Sequence, residues 1–279
     1  MNIIQNKIKS GDRHYADVIN DLKNQSIKYW RKEGRSNEWI NQRYNSNSDE
    51  SLRNILQDFY VGVTHNNSPQ LYKSTPDEDM SDFSVGFYKI VYKDILGGNN
   101  VEILNEDGTY KNENYMGDTI HSFNSLANVI LGNRSQKERS PKEEWPKELI
   151  DYQSKYHCLA NFWVIPMCHG RTSAKLNRYD SLDSYLNKVY SGVIKNTDEY
   201  FQKFTYESFL EIHGMSGYKI SDNPLEIYIS KDKKGCIDEI QRIYSFWNKR
   251  ASEIVKKYNS ELYDYFDGLG LINVAETTN

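Results

Sequence analysis

Residues 156–166, with the sequence YHCLANFWVIP, hold the most apolar run of the chain, which extends from Leu159 to Ile165. The run is short, contains aromatic and β-branched side chains, and is stopped by Pro166. A segment of this kind is typical of a strand whose two faces are both covered. We therefore predict a buried strand over residues 159–165, against which neighbouring elements must pack.

The chain is mainly helical in pattern on either side of this strand. Over the first 60 residues apolar side chains recur at spacings of three and four, which predicts three helices, the last of them capped by Ser48. The same spacing predicts helices over Leu182–Ile194, with Asp180 as its cap, and over residues 197–214. A long helix is predicted from about Ile237 to Phe266.

The central residues have a less regular pattern. The segment 83–96 fits either a buried strand or a helix, and Val101–Leu104 predicts a strand that ends in a turn at Asp107-Gly108. Asp118 or Thr119 is predicted to cap a helix that ends at Gly132.

These patterns predict an α+β fold in a single domain over residues 1–279. Its helical N- and C-terminal parts, 1–60 and 179–267, surround a small mixed α/β centre at 83–178, and a further strand is predicted over Leu225–Ile229.

The composition excludes several classes of protein. The chain has 279 residues with 35 Lys+Arg and 39 Asp+Glu, a formal net charge of −4, which argues against a protein that coats nucleic acid through its overall charge. No apolar run approaches the length of a membrane span, and the first residues do not resemble a secretory signal. Three cysteines are typical of reduced thiols, so we expect a cytoplasmic protein with no membrane partner.

The charge is unevenly distributed along the chain. Residues 132–178 contain nine Lys/Arg and five Asp/Glu, the reverse of the overall balance. Within them Arg171, Lys175 and Arg178 follow Gly170 in a polar segment whose charge and hydroxyl groups suit a phosphate. A solvated loop explains the same residues equally well.

Histidine and cysteine form two adjacent pairs, His157-Cys158 and Cys168-His169, at the two ends of the predicted strand. Imidazole and thiolate are zinc ligands, and strand ends can bring two pairs together. Adjacent strand residues point to opposite faces, so the spacing favours the alternative in which both cysteines are small buried side chains.

Asp118 and His121 form a second candidate. If Asp118 caps the predicted helix, its carboxylate and the His121 imidazole lie on one face near the positive helix end. Such a pair binds a divalent metal or orients a water molecule. An ordinary capped helix with a partly buried histidine is the more common explanation of this spacing.

Two blocks resemble a bacterial protein family with no assigned function over about residues 49–190. They are Gly117–Phe123 (GDTIHSF) and Tyr156–Pro166, the latter followed by His169-Gly170-Arg171. The second block is also similar to the HNH-type nuclease domain at the C-terminus of GmrSD-like restriction enzymes. In that family an acidic-His pair at a strand end is followed by a second strand and then by an Asn, an aromatic residue and a Lys.

The match to this pattern is incomplete. Leu159–Ile165 takes the place of the second strand, Asn177 that of the later Asn, and Tyr185 and Lys188 those of the aromatic residue and the Lys. The acidic-His-Ile-x-Pro sequence is missing: Gly117-Asp118 stands in its place, and His121 comes three residues late.

The resemblance implies a metal-dependent nuclease or phosphodiesterase of a bacterial defence or toxin system, HNH-like in either an active or a degenerate form, with a nucleic-acid partner. It implies a divalent metal, Mg²⁺ or Zn²⁺, on Asp118 and His157. His121, His169 and Asn161 would be catalytic, and Arg171, Lys175 and Arg178 would bind the substrate. The alternative is a non-enzymatic module that binds a protein partner through exposed aromatic residues on its helices.

Overall fold

A computed structural model describes residues 13–44, 48–61, 79, 81–93, 115–132, 137, 139–166, 181–190, 199–221 and 231–272. The predicted strands at Val101–Leu104 and Leu225–Ile229, the turn at Asp107-Gly108 and the cap at Asp180 lie outside these ranges.

The N-terminal part is helical, as predicted. It consists of α1 (Arg13–Lys32), α2 (Asn37–Tyr44) and α3 (Asp49–Asp58), and α4 (Asp82–Val91) follows. The Ser48 hydroxyl accepts a hydrogen bond from the amide of Ser51, so the predicted N-cap of α3 is confirmed. The ambiguous segment 83–96 is helical over its described part, and Ser81 caps it in the same way.

The centre contains a small antiparallel sheet. Strand β1 (Tyr115–Thr119) pairs with β2 (Phe162–Pro166) so that Asp118 lies opposite Trp163. Between the strands lie α5 (Phe123–Leu131), a 3₁₀ turn at Lys142–Glu144, α6 (Lys147–Gln153) and a second 3₁₀ turn at Leu159–Asn161.

The C-terminal part returns to helix. It contains α7 (Leu182–Tyr190), α8 (Glu199–Gln202), α9 (Tyr206–Ile212) and α10 (Lys233–Gly268). The segment predicted as one helix over 197–214 is therefore divided, and its second part is capped by Thr205, whose hydroxyl accepts from the amide of Ser208.

Helix α10 is the longest helix in the described ranges. Its 36 residues correspond to a length of about 54 Å at 1.5 Å per residue. It packs against α3, α4, α5, α6 and the turn before β2. The predicted long helix is confirmed, with a departure from helical backbone angles at Tyr258, whose hydroxyl donates to the Val91 carbonyl at 3.0 Å.

The strand predicted over residues 159–165 is buried on both faces but is shorter than predicted. Phe162, Trp163, Val164 and Ile165 are at most 1% exposed. Strand β2 begins at Phe162 because Leu159–Asn161 form a 3₁₀ turn, which is closed by a hydrogen bond from the Asn161 amide to the Cys158 carbonyl. The burial of this segment was predicted correctly, but the 3₁₀ turn at its first three residues was not.

The predicted helix cap at Asp118 or Thr119 is wrong. Both residues belong to β1, and α5 begins at Phe123 with Ser122 in the N-cap position. Pairing with β2 keeps the chain extended through Thr119, and the Ile120 amide then donates to the Asn161 carbonyl at 2.7 Å. The predicted end of this helix is confirmed, since Gly132 adopts a left-handed backbone with φ of 72°.

The described residues thus form a mostly helical α+β fold with a two-stranded sheet in its centre. Among the helices in the described ranges, none combines the length and the apolar character needed to cross a membrane.

Candidate functional site

Asn161 lies at the centre of the predicted site and is fully buried. Its side-chain oxygen accepts from the His121 amide at 2.9 Å and from the Trp247 indole at 3.1 Å. Its side-chain nitrogen donates to the carbonyls of His121 at 2.9 Å and Tyr156 at 2.7 Å. One amide side chain therefore joins the end of β1, the turn before β2 and α10.

His121 belongs to the same buried group. Its ring nitrogen Nδ1 lies 3.3 Å from the Asn161 oxygen, and because that oxygen can only accept, Nδ1 carries the proton. The ring also packs edge-on against Phe246 with 5.0 Å between centroids. Burial lowers the pKa of His121 to about 3, against a smaller opposing effect of Asn161. In this position the imidazole is neutral and is enclosed by protein.

Asp118 lies in a different environment. It is half-buried in β1, and its carboxylate accepts from the Thr119 amide at 2.7 Å. The packing requires a glycine at the preceding position, because a Cβ atom at Gly117 would overlap the Asp79 carbonyl oxygen and the Tyr88 ring. The strand therefore approaches α4 closely at this point, and Asp118 stays partly accessible.

The first predicted histidine–cysteine pair is divided between two environments. His157 is half-buried and stacks on Tyr60 with 5.6 Å between ring centroids and 11° between planes. Cys158 is fully buried, and burial raises the pKa of its thiol to about 12. A protonated, enclosed thiol fits the prediction that Cys158 is a small core residue.

The other predicted site residues lie outside the part of the chain that the structure describes. They are Cys168, His169, Arg171, Lys175, Asn177 and Arg178. Within the described ranges no group of three or more His, Cys, Asp or Glu side chains is arranged to hold a metal ion.

Two positions taken from the nuclease resemblance lie on α7. Tyr185 is buried, and its ring is 4.9 Å from that of Trp163 in β2. Lys188 lies one turn further on and is exposed. Strand β2 and α7, the next helix in the described ranges, therefore contact each other through an aromatic pair.

A cleft of about 340 Å³ lies between α1, the end of α3 and α6. Sequence reasoning did not identify it. Its lining includes the lysines Lys28, Lys32, Lys142 and Lys155. The one local signal is the spacing of Lys28 and Lys32, which places two positive charges on one helical face.

The described aromatic residues do not form an exposed patch. Every Phe, Tyr and Trp whose burial the structure describes is buried or half-buried. Clusters such as Trp30 with Trp39, at 5.0 Å between centroids, are covered by Arg35 and Arg43, whose guanidinium groups lie over the rings. No observation within the described ranges therefore favours the alternative of aromatic docking helices.

Comparison with known proteins gives no assignment. No family model, no curated protein and no solved structure matches this chain. The protein is therefore characterised by its fold class, a mostly helical α+β protein, and by the chemistry of its own residues.

The buried histidines predict an acid sensitivity. Burial lowers the pKa of both His121 and His213, with a smaller contribution from the positive charge of Arg250, so both rings are neutral in the folded state. The unfolded chain takes up protons below about pH 6.5, which the folded protein does not. The contribution of the two rings to the free energy of unfolding is thus constant above that pH. Below that pH it falls, by up to about 1.4 kcal/mol per pH unit for each ring.

Urea unfolding between about pH 5 and pH 7.5 tests this dependence. The variant His121→Leu should lose about half of the slope attributed to the two rings below about pH 6.5. A variant with the full slope of the unmodified protein would contradict the assignment of a neutral, buried His121.

Proposed function

We propose that the part of the chain formed by β1, β2 and α7 is an HNH-like metal-dependent phosphodiesterase that acts on nucleic acid in a bacterial defence or toxin system. The observation that supports it is the order of the described elements, in which two paired antiparallel strands, separated in sequence by α5 and α6, precede α7, which contacts the second strand through Trp163 and Tyr185. This order agrees with the pattern on which the sequence resemblance rests.

The contacts in the core change the roles that the proposal gives to two residues. His121 and Asn161 bond to one another and to Trp247 inside the protein. We therefore assign them to the frame that holds β1 beside β2. The role of general base passes to His169, which adjoins the basic residues Arg171 and Lys175 in sequence.

Asp118 is the proposed metal ligand on the sheet. Its carboxylate is half-buried, which leaves it accessible, and an oxygen donor suits a divalent cation such as Mg²⁺. Such a cation stabilises the developing charge on the leaving oxygen of a phosphodiester. His157, which stacks on Tyr60, is the second proposed ligand, and Arg171, Lys175 and Arg178 would hold the phosphate.

Incubation of the purified chain with DNA and RNA in Mg²⁺, Mn²⁺ or Zn²⁺ tests the proposal. Asp118→Ala and His169→Ala are expected to lower cleavage by about 10²-fold or more while they keep the circular dichroism spectrum of the unmodified protein. Asp238→Ala, which removes an exposed carboxylate of α10, is the matched control and should cleave normally.

The proposal is rejected if no nucleic acid is cleaved with any of the three cations and elemental analysis finds no bound metal. A selective loss of activity in His121→Ala, with unchanged stability, would return the catalytic role to His121.

A further inference from the structure

The cleft between α1 and α6 has the size of a small-molecule site. Its volume of about 340 Å³ lies in the range of ligand pockets. Its walls come from α1, from Asp58 and Tyr60 at the end of α3, from the 3₁₀ turn at Lys142, and from Asp151 to Lys155. Elements that are distant in sequence thus converge on one concave surface.

The carboxylates of this cleft are already paired with cations. Asp58 is bound by the Arg43 guanidinium and accepts from the Tyr44 hydroxyl at 2.7 Å. Asp151 lies 2.6 Å from the Lys147 ammonium, which is also 3.7 Å from Glu33. Neither Arg43 nor Lys147 lines the cleft, so two cations outside it pair with its three carboxylates, Asp58, Asp151 and Glu33, and offset part of their negative charge.

The lysines of the cleft are in the opposite situation. Within the described part of the chain, none of Lys28, Lys32, Lys142 and Lys155 has a carboxylate at ion-pair distance. The lining thus holds four lysines against three carboxylates that already have cation partners, which leaves an excess of positive charge in the concave surface. Concentration of one sign in a cleft raises the local concentration of ligands of the other sign.

Lys155 is the most enclosed of the four. Its ammonium lies 4.5 Å from the centre of the Tyr29 ring, 5.1 Å from that of Trp30 and 5.6 Å from that of Tyr244. These rings fix its position, while burial lowers its pKa, and the effects of Asp58 and Asp151 oppose that change. An anion bound in the cleft would stabilise the charged form of Lys155, which burial disfavours.

We propose that this cleft binds a phosphate-bearing small molecule. Lys28 and Lys32 project from successive turns of α1, and with Lys142 and Lys155 they supply several ammonium donors for one multiply charged anion. The Tyr60 ring, also in the lining, gives an aromatic wall for the remainder of the ligand. Neither β1 nor β2 contributes to the lining, and the cleft adjoins the proposed phosphodiesterase site where Tyr60 stacks on His157.

Isothermal titration calorimetry without added metal tests the site directly. The probes are inorganic pyrophosphate, ribose 5-phosphate and AMP, with sulfate and adenosine as comparison compounds. We expect saturable binding of the phosphate compounds in preference to both comparison compounds, and weaker binding at higher salt. Tighter binding of AMP than of ribose 5-phosphate identifies a nucleotide as the source of the phosphate, and equal binding identifies a sugar phosphate.

Charge reversal identifies the cleft as the binding surface. The double variant Lys28→Glu/Lys32→Glu changes two exposed side chains and is expected to weaken phosphate binding by about tenfold or more. The control Lys249→Glu/Lys256→Glu makes the same change in net charge at two exposed positions of α10. Its affinity should remain within about twofold of the unmodified protein.

Three results would overturn the inference. They are the absence of binding by every phosphate probe at millimolar concentration, equal binding of sulfate, and equal weakening in the two double variants. Because the assay contains no metal and measures no cleavage, failure here leaves the phosphodiesterase proposal standing, and the reverse also holds.

Discussion

Replacement of Arg250 by methionine is expected to destabilise the protein by about 4 kcal/mol. The Arg250 guanidinium is 1% exposed. It donates to the carbonyls of Ala160 at 2.8 Å, Leu159 at 3.3 Å and His213 at 2.8 Å, and to the Tyr92 hydroxyl at 3.0 Å. A single side chain of α10 therefore holds the turn before β2 and the end of α9.

The size of this effect follows from what the substitution leaves behind. In the described ranges no carboxylate pairs with Arg250, so its charge is stabilised by carbonyl and hydroxyl dipoles alone. Methionine fills the space but removes the Arg250 donor from the buried carbonyl oxygens of Ala160 and His213, at a cost of about 1–3 kcal/mol each, whereas the Leu159 carbonyl still accepts from the Phe162 amide. The release of a desolvated charge offsets part of that cost, which gives a net loss of about 4 kcal/mol.

Urea unfolding followed by tryptophan fluorescence measures this loss. Arg250→Lys should lie between methionine and the unmodified protein, because an ammonium cannot reproduce the planar geometry that reaches several acceptors. Lys249→Met removes an exposed charge from the adjacent position and should change stability by less than about 0.5 kcal/mol. A loss below about 1 kcal/mol in Arg250→Met would mean that the turn before β2 is held by other contacts.

Features that depend on local chemistry were predictable from the sequence. The helices before residue 60 and α10 follow from apolar spacing, and the cap at Ser48 and the end at Gly132 follow from the preferences of single residues. Each of these signals is contained within one or two helical turns. The structure confirms them because nothing distant in the chain competes with them.

Features that depend on distant partners were not predictable. Leu159–Ile165 has the composition of one strand, yet its first residues turn because Arg250 binds their carbonyls from a helix some ninety residues away. Asp118 is of a residue type that commonly caps helices, yet pairing of its strand with β2 keeps its backbone extended. In both cases a tertiary hydrogen-bond partner overrides the local preference.

The cleft was hidden from sequence reasoning for a related reason. Its lysines come from three separate parts of the chain, with Lys28 and Lys32 on α1, Lys142 in a 3₁₀ turn and Lys155 after α6. Acidic residues lie near these lysines in the sequence. Only the structure reveals that Arg43 and Lys147 form ion pairs with acidic groups of the cleft. Pairing of charges decides the character of this surface, and pairing is a property of the fold.

Replacement of Asn161 by aspartate is expected to destabilise the protein more than replacement by alanine. Alanine removes the bonds to His121, Tyr156 and Trp247, which we expect to cost about 3 kcal/mol, although the His121 carbonyl still accepts from the Tyr152 hydroxyl. Aspartate keeps the shape and the accepting oxygen. Its second oxygen, however, replaces the nitrogen that donates to the carbonyls of His121 and Tyr156.

The aspartate variant therefore places a carboxylate oxygen against two carbonyl oxygens in a fully buried position. Repulsion and the burial of a charge add to the loss of two donated bonds, so a total of about 4–5 kcal/mol is expected near neutral pH. Protonation of the carboxyl group restores one donor, and the difference between the aspartate and alanine variants should shrink as the pH is lowered toward the ordinary range of a carboxyl group.

Unfolding of both variants by urea, beside an activity assay, separates a framework role from a catalytic one. Asn187→Asp makes the same chemical change at an exposed position of α7 and should alter stability by less than about 0.5 kcal/mol. If Asn161 holds the end of β1 against the turn before β2, both Asn161 variants lose stability and the order is aspartate below alanine. If it acts in catalysis instead, both variants fold normally and lose only cleavage. Asn161 donates to the carbonyls of His121 and Tyr156 and accepts from the His121 amide and the Trp247 indole, and these bonds require the first result because they join three separate parts of the chain inside the protein.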